Sequence, residues 1–172
     1  MHTARLVPAV VAVTLVVAGC LAAPTDGPAR DRVVEFGASN AAAETYLVTF
    51  SLAATPHGFA ATDVNNSTTR YPNASSLDEV PEPVVSRAVR VVPLGDDVRT
   101  FGFRLGPGDG VGNTVRSLPR DTVVVYTVAN PAREEPMQAI GLATCGPGTT
   151  DSTVDVRIDA DGAVHVDTSC RD

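Results

Sequence analysis

The sequence predicts a mainly β fold, a β-sandwich or bent antiparallel sheet of about eight to ten strands with one packed helix. Three observations predict it. Short runs rich in Val, Thr, Phe and Tyr recur along the chain and are punctuated by Gly, Pro, Ser and Asn. The last two runs alternate apolar and polar residues in a register that can be worked out. One segment alone has the spacing of an apolar helical stripe.

Taken in order, residues 32–37, 45–53 and 58–64 read as strands. In the second, Tyr46, Val48 and Phe50 are large, and Leu47 sits among the alternate positions, so this strand is expected to be covered on both faces. Asn65-Asn66-Ser67-Thr68 and Asn73-Ala74-Ser75 form a polar loop with acceptor sequons at Asn65, Asn66 and Asn73, which plain turn chemistry accounts for equally well. Val84, Val85, Ala88, Val89 and Val92 follow the spacing of a helical stripe, with Glu82, Arg87 and Arg90 off it and Pro83 suited to a first turn. Ser76 with Glu79 also matches a capping box, although an earlier start would put Pro81 and Pro83 inside the helix.

Residues 99–105 alternate again, and residues 106–112, with four Gly and one Pro, read as a flexible loop. Its spacing fits neither GxGxxG nor GxxxxGK, and the chain has no Lys, so no phosphate site and no cofactor is expected. Residues 122–128 are apolar on both faces and belong at the centre of a sheet, and residues 137–145 form a further strand with Ile140 and Leu142 on its bulkier face. In the last pair, Val154, Val156 and Ile158 must share a face with Val164, Val166 and Thr168. A three-residue loop, Ala160-Asp161-Gly162, satisfies this by pairing Ile158 with Val164 and Val156 with Val166. Gly162 then takes the left-handed position.

Ahead of these strands lies a different kind of segment. Arg5 precedes an apolar run over residues 6–18, about 13 residues where a bilayer-spanning helix needs about 20, so residues 1–19 read as a secretory signal. The run ends in Val17-Ala18-Gly19-Cys20, which resembles the lipobox of prokaryotic lipoproteins, with Val17 where Leu is usual. The resemblance covers these first twenty residues. It implies cleavage before Cys20, diacylglycerol on its sulfur, and a membrane anchor facing outside the cytoplasm. The competing reading is an ordinary signal peptide with an incidental cysteine. Residues 20–30 contain Pro24, Gly27 and Pro28 and form a tether that reaches about 35 Å fully extended. As a flexible coil it spans nearer 18 Å. Residues 31–172 are then a single β-rich extracytoplasmic domain.

All 13 basic residues are Arg, and acidic residues number 20, for a formal net charge of −7. The chain therefore looks like a protein of a salt-loving archaeon, although a high-GC actinobacterial lipoprotein would also favour Arg, Ala, Val and Gly. Net acidity argues against nucleic acid as a partner. With Cys20 lipidated, Cys145 and Cys170 remain as an even pair in an oxidising compartment, which favours a disulfide contributing about 3 kcal/mol. A metal role for the two thiols is the weaker idea, because no CxxC or suitably spaced His accompanies them.

Candidates for chemistry are few. His165 falls opposite Arg157 and near Asp155, Asp159 and Asp167, so Asp155, His165 and Asp167 are the weak metal candidates, with solvent-facing charge on a sheet as the plainer explanation. Asp159-Ala160-Asp161-Gly162 opens like a calcium loop and lacks the later ligands. His57 lies between Pro56 and Gly58 with no GxSxG elbow in the chain. A blue-copper site fails because Gly146-Pro147-Gly148 follows Cys145 where His is needed. The absence of Trp weakens a sugar-stacking site. What remains is a membrane-anchored, non-enzymatic binding or scaffolding protein with a cell-envelope protein partner. The alternative is a ligand or metal binder, or a hydrolase, with a loop-built site near His57 or His165.

Overall fold

Val34, Phe36, Ala38 and Asn40 are buried while Glu35 and Ser39 among the alternate positions are exposed, the period-two signature of a strand with one wet face. In the computed structural model, which describes residues 32–146 and 149–171, this strand is β1 (Arg32–Asn40). The expected signal segment, Cys20 and the tether lie outside the described residues. β10 (Asp151–Ile158), β11 (Val164–Arg171) and β7 (Gly110–Leu118) join β1 in a first sheet of order β11-β10-β1-β7. A second sheet has the order β6-β2-β8-β9, from β6 (Arg99–Leu105), β2 (Tyr46–Ala53), β8 (Val123–Ala129) and β9 (Met137–Ala143). The two pack face to face around Phe36, Tyr46, Phe50, Val128 and Val156. The Phe36 and Phe50 rings stack with centroids 4.6 Å apart, and burying each contributes about 2–3 kcal/mol.

A third sheet, order β4-β3-β5, covers the other side of the second: β3 (Gly58–Asp63), β4 (Thr68–Tyr71) and β5 (Ala88–Leu94). Phe59, Ala61, Ala88 and Val91 meet Val125 from β8 in a second core, with Ile140 of β9 packed against it. This third layer is why β2 and β8 are apolar on both faces and why both stand inside their sheet. The mainly β class with one helix therefore holds, as three layers instead of two.

Four expectations are corrected. The helix stops early: α1 spans Glu82–Arg87, and Ala88, Val89 and Val92 belong to β5. The cross-strand pairing of Val91 with Ala61 and Val92 with Ala60 outweighs helical spacing in a run of β-branched residues. Pro93 is tolerated because β5 is an edge strand. The capping box is also displaced, since the Glu79 carboxylate accepts from Ser75 N–H and Oγ while Ser76 makes no side-chain cap. Residues 110–112 are strand, not loop: Gly110 and Gly112 pair with Ser39 and Gly37. The turn itself is confined to residues 106–109. Finally, the sheets are not wholly antiparallel, because β1 and β10 run parallel over eight residue pairs.

The terminal hairpin has the deduced register, Ile158 with Val164 and Val156 with Val166. Asp159 N–H donates to Ala163 O across the loop, and Gly162 has φ +84°. A Cβ at Gly162 would lie 2.7 Å from the Tyr46 hydroxyl, so the position needs glycine for space as well as for backbone angle.

Candidate binding face

Strand directions give the molecule two poles. Arg32 opens β1 at one, where Val33 pairs with Asp151 and Asp151 with Arg171, so both ends of the described chain meet there. At the opposite pole the loops after β1, β6, β8 and β10 gather. Asn40, 2% exposed, ties two of them: its Nδ2 donates to the carbonyls of Glu44, Leu105 and Gly106 at 2.8, 3.1 and 3.1 Å, and its Oδ1 accepts from Ala42 N–H. Glu44 adds a third loop by accepting from Asn130 Nδ2 and pairing with Arg133 at 3.1 Å. This pole is a braced loop surface, the arrangement that lets a rigid scaffold present a binding face. Neither Asn40 nor Glu44 carried a sequence signal, because each acts through a loop distant in the chain.

The pole at Arg32 is differently built. Arg32 is buried, and its Nη1 donates to Arg120 O at 2.9 Å. Burial lowers its pKa, and the Asp121 carboxylate works in the opposite direction. Nearby, a recess of about 60 Å³ contains the buried Thr122 hydroxyl, which has no partner among the described residues. Asp97 and Ser117 line it with φ of 57° and 58°. Ser117 adjoins the bulge where the β1–β7 register shifts. Such a recess has room for ordered water.

The residues singled out by sequence do not converge. Cys145 and Cys170 are bonded, with Cα atoms 5.8 Å apart. Cys145 is half-buried and Cys170 exposed, so the bridge clips the β9 side of the second sheet to edge strand β11 at the surface and does not enter the core. Asp155, His165 and Asp167 each have other neighbours: Asp167 pairs with Arg157 at 3.1 Å, His165 Nε2 lies 2.9 Å from Asp159, and Asp155 leans across Gly37. Among the described residues no three His, Cys, Asp or Glu side chains gather to hold a metal. His57 is exposed beside Gly95, with its N–H donating to Leu94 O. Asn65, Asn66 and Asn73 are all exposed, and Asn66 has φ 63° in a turn capped by the Asp63 carboxylate. Leu142, on the bulkier face of its strand with Ile140, is 38% exposed.

A cleft of about 350 Å³ runs where the third sheet stops short of β6. Leu47 and Thr49 of β2 and Val89 of β5 line it. Arg104 of β6, Arg90 of β5 and Asn66 are also part of its wall. Gly102 leaves it open on the β6 side, since a Cβ there would meet only Thr49 Oγ1, at 4.0 Å. Reading the sequence missed this cleft because it exists only through the third layer.

A family model described as halobacterial Ig domain protein matches residues 1–172. The chain belongs to that family. Its acidic, lysine-free composition is thus that of a halobacterial protein, and the layered β architecture is that of an Ig-like domain. No curated protein matches this Ig domain. Among solved structures, it is similar to the type VI secretion lipoprotein TssJ1 from Pseudomonas aeruginosa at 13% identity and TM-score 0.42, covering 83% of this chain and 98% of that one. The human-specific toxin intermedilysin is 9% identical with TM-score 0.39, over 83% of this chain. The Ig domain spans only 24% of that toxin's length. Overlaps this loose carry nothing about activity or partners.

Proposed function

We propose that this Ig domain is a lipid-anchored, extracytoplasmic, non-enzymatic binding or scaffolding protein of the cell envelope. The observation that carries the reading is Val17-Ala18-Gly19-Cys20 at the end of a short apolar run. Diacylglycerol on Cys20 supplies two chains, each buried methylene contributing about 0.8 kcal/mol, which suffices for stable anchoring. The architecture agrees with it. The chain enters the domain at the Arg32 pole, so an anchor at Cys20 leaves the braced loops at the opposite pole facing outward. Family membership supports an extracytoplasmic setting, and Ig-like domains generally serve as binding modules. A loop-built site at His57 or His165 has less in its favour, since both imidazoles are exposed and His165 sits with Arg157 and Asp159 on the wet face of the terminal hairpin.

Intact mass of protein extracted from membranes of its own host, before and after reduction and alkylation, tests the reading. The expected mass is that of a chain beginning at Cys20 with a lipid adduct, and two further thiols become alkylated only after reduction. A chain with an unmodified Cys20 refutes the anchor.

A further inference from the structure

The cleft beside β6 differs in charge from four other recesses of this acidic chain. Asp97 lines the recess at the Arg32 pole, Asp155 the trough on the first sheet, Asp63 the hollow beside α1 and Glu135 the hollow after β8. No carboxylate lines the cleft. Arg90 and Arg104 are exposed and make no ion pair or side-chain hydrogen bond among the described residues. Leu47, Val89 and Phe103 add apolar wall to the same cleft, and Thr49, Thr62 and Asn66 its uncharged polar groups. β6 also forms an edge of its sheet, pairs with β2 without a bulge and contains no proline, so a run of its backbone N–H and C=O groups faces away from any strand.

We infer that this cleft binds an extended, carboxylate-bearing polypeptide segment of a partner protein. Its acidic side chains pair with Arg90 and Arg104, and its apolar side chains rest on Leu47 and Val89. The two cations select for carboxylates, and the free edge of β6 selects for a polypeptide, because only a backbone satisfies successive donors and acceptors along a strand. At 1 M salt charges more than about 3 Å apart are screened, so the recognition rests on direct guanidinium–carboxylate contact and apolar burial. The inference deepens the envelope-binding reading and rests on it for the partner's location.

The test uses the full mature chain in detergent at molar KCl and, as probe, a fluorescent eight-residue peptide of alternating Asp-Asp and Val-Val pairs, so that each face of the extended segment carries both residue types. Fluorescence anisotropy is expected to show saturable binding of this peptide and none of a Lys–Val counterpart. Gly102→Val fills the cleft where only Thr49 Oγ1 lies near, so it should weaken binding at least tenfold at an unchanged thermal midpoint. The Arg90→Gln, Arg104→Gln double variant should do the same. Absence of saturable binding, equal binding of the Lys–Val peptide, or undiminished binding by Gly102→Val overturns the inference. Displacement by acetate at matched carboxylate concentration would assign the cleft to small anions, and self-association abolished by the double variant would assign it to a second copy; either result overturns it. The lipid mass of the same sample reads the anchor separately. An adduct without peptide binding sinks the cleft alone, and binding without an adduct sinks the anchor alone.

Discussion

Asn40 offers the sharpest test of how the outward loop surface is held. Its amide serves three carbonyls and its oxygen holds one N–H, so Asn40→Ala removes these bonds at a site 2% exposed, while Gly106 O keeps its bond from Asp109 N–H. Two amide hydrogens serve the three carbonyls, which gives about three effective hydrogen bonds at about 1 kcal/mol each net, or ~3 kcal/mol. Leu105 O and Ala42 N–H make the two fully buried bonds of the set, and the bonds to Glu44 O and Gly106 O are only part-buried, which keeps the loss near that figure. For a chain of this size, ~3 kcal/mol lowers the melting midpoint by about 6–12 °C. Asn40→Asp keeps the shape and turns the donor into an acceptor facing the same carbonyls. It should cost more than Ala at pH 7. Because those carbonyls raise the folded-state pKa of an Asp there, its penalty is smallest below the unfolded carboxylate pKa and grows as pH rises through the folded value. Circular dichroism melts at molar KCl, from pH 3 to pH 7, read both effects. An Asp variant as stable as the Ala variant at pH 7, or an Ala variant losing under 1 kcal/mol, would refute the assignment of Asn40 as the brace.

Three further outcomes are expected. Cys145→Ser with Cys170→Ser should lose about 3 kcal/mol in denaturant titrations, since the bridge closes a sequence separation of 25 in the unfolded chain. Gly162→Ala should cost more than Gly108→Ala: both have positive φ, a penalty of about 1 kcal/mol, but only Gly162 would also push a Cβ against the Tyr46 hydroxyl. Equal losses in urea melts would show that the turn, and not the contact, sets the cost. Hydrogen bonds from Ser75 hold the Glu79 pKa below its ordinary value, so the associated stability is present above the unfolded pKa and falls away as pH drops through the folded one. Glu79→Gln should remove that acid-side component, as seen in NMR titration of the neighbouring amides.

The parts of this fold that local patterning determines were readable from the chain. Ile158 and Val164 are paired as their alternation and the Gly162 turn require, and β8 is central because Val124 and Val125 must both be buried. The parts that depend on a distant partner were not. Val89 and Val92 fit a helix by spacing and became strand through β3, more than twenty residues away. Gly110 and Gly112 looked like loop because nothing in residues 106–112 signals that β1 will lie alongside them. The candidate site follows the same division. The clustering of Asp155, His165 and Asp167 on one hairpin was legible and leads only to local ion pairs, whereas Arg90 and Arg104 come together through the stacking of two sheets.

The placement of β1 has a mechanical consequence. Its first described residue lies at the Arg32 pole and its last at the braced loops, and it runs between parallel β10 and antiparallel β7. A load between a membrane anchor and a partner gripping the far side therefore acts along the strand axis. Eight residue pairs with β10 and seven with β7 bear that load together in shear, so the ladder yields as a block where an edge strand would peel bond by bond. On the proposed anchoring, the pulling force would pass through the strand of the first sheet that is gripped on both sides.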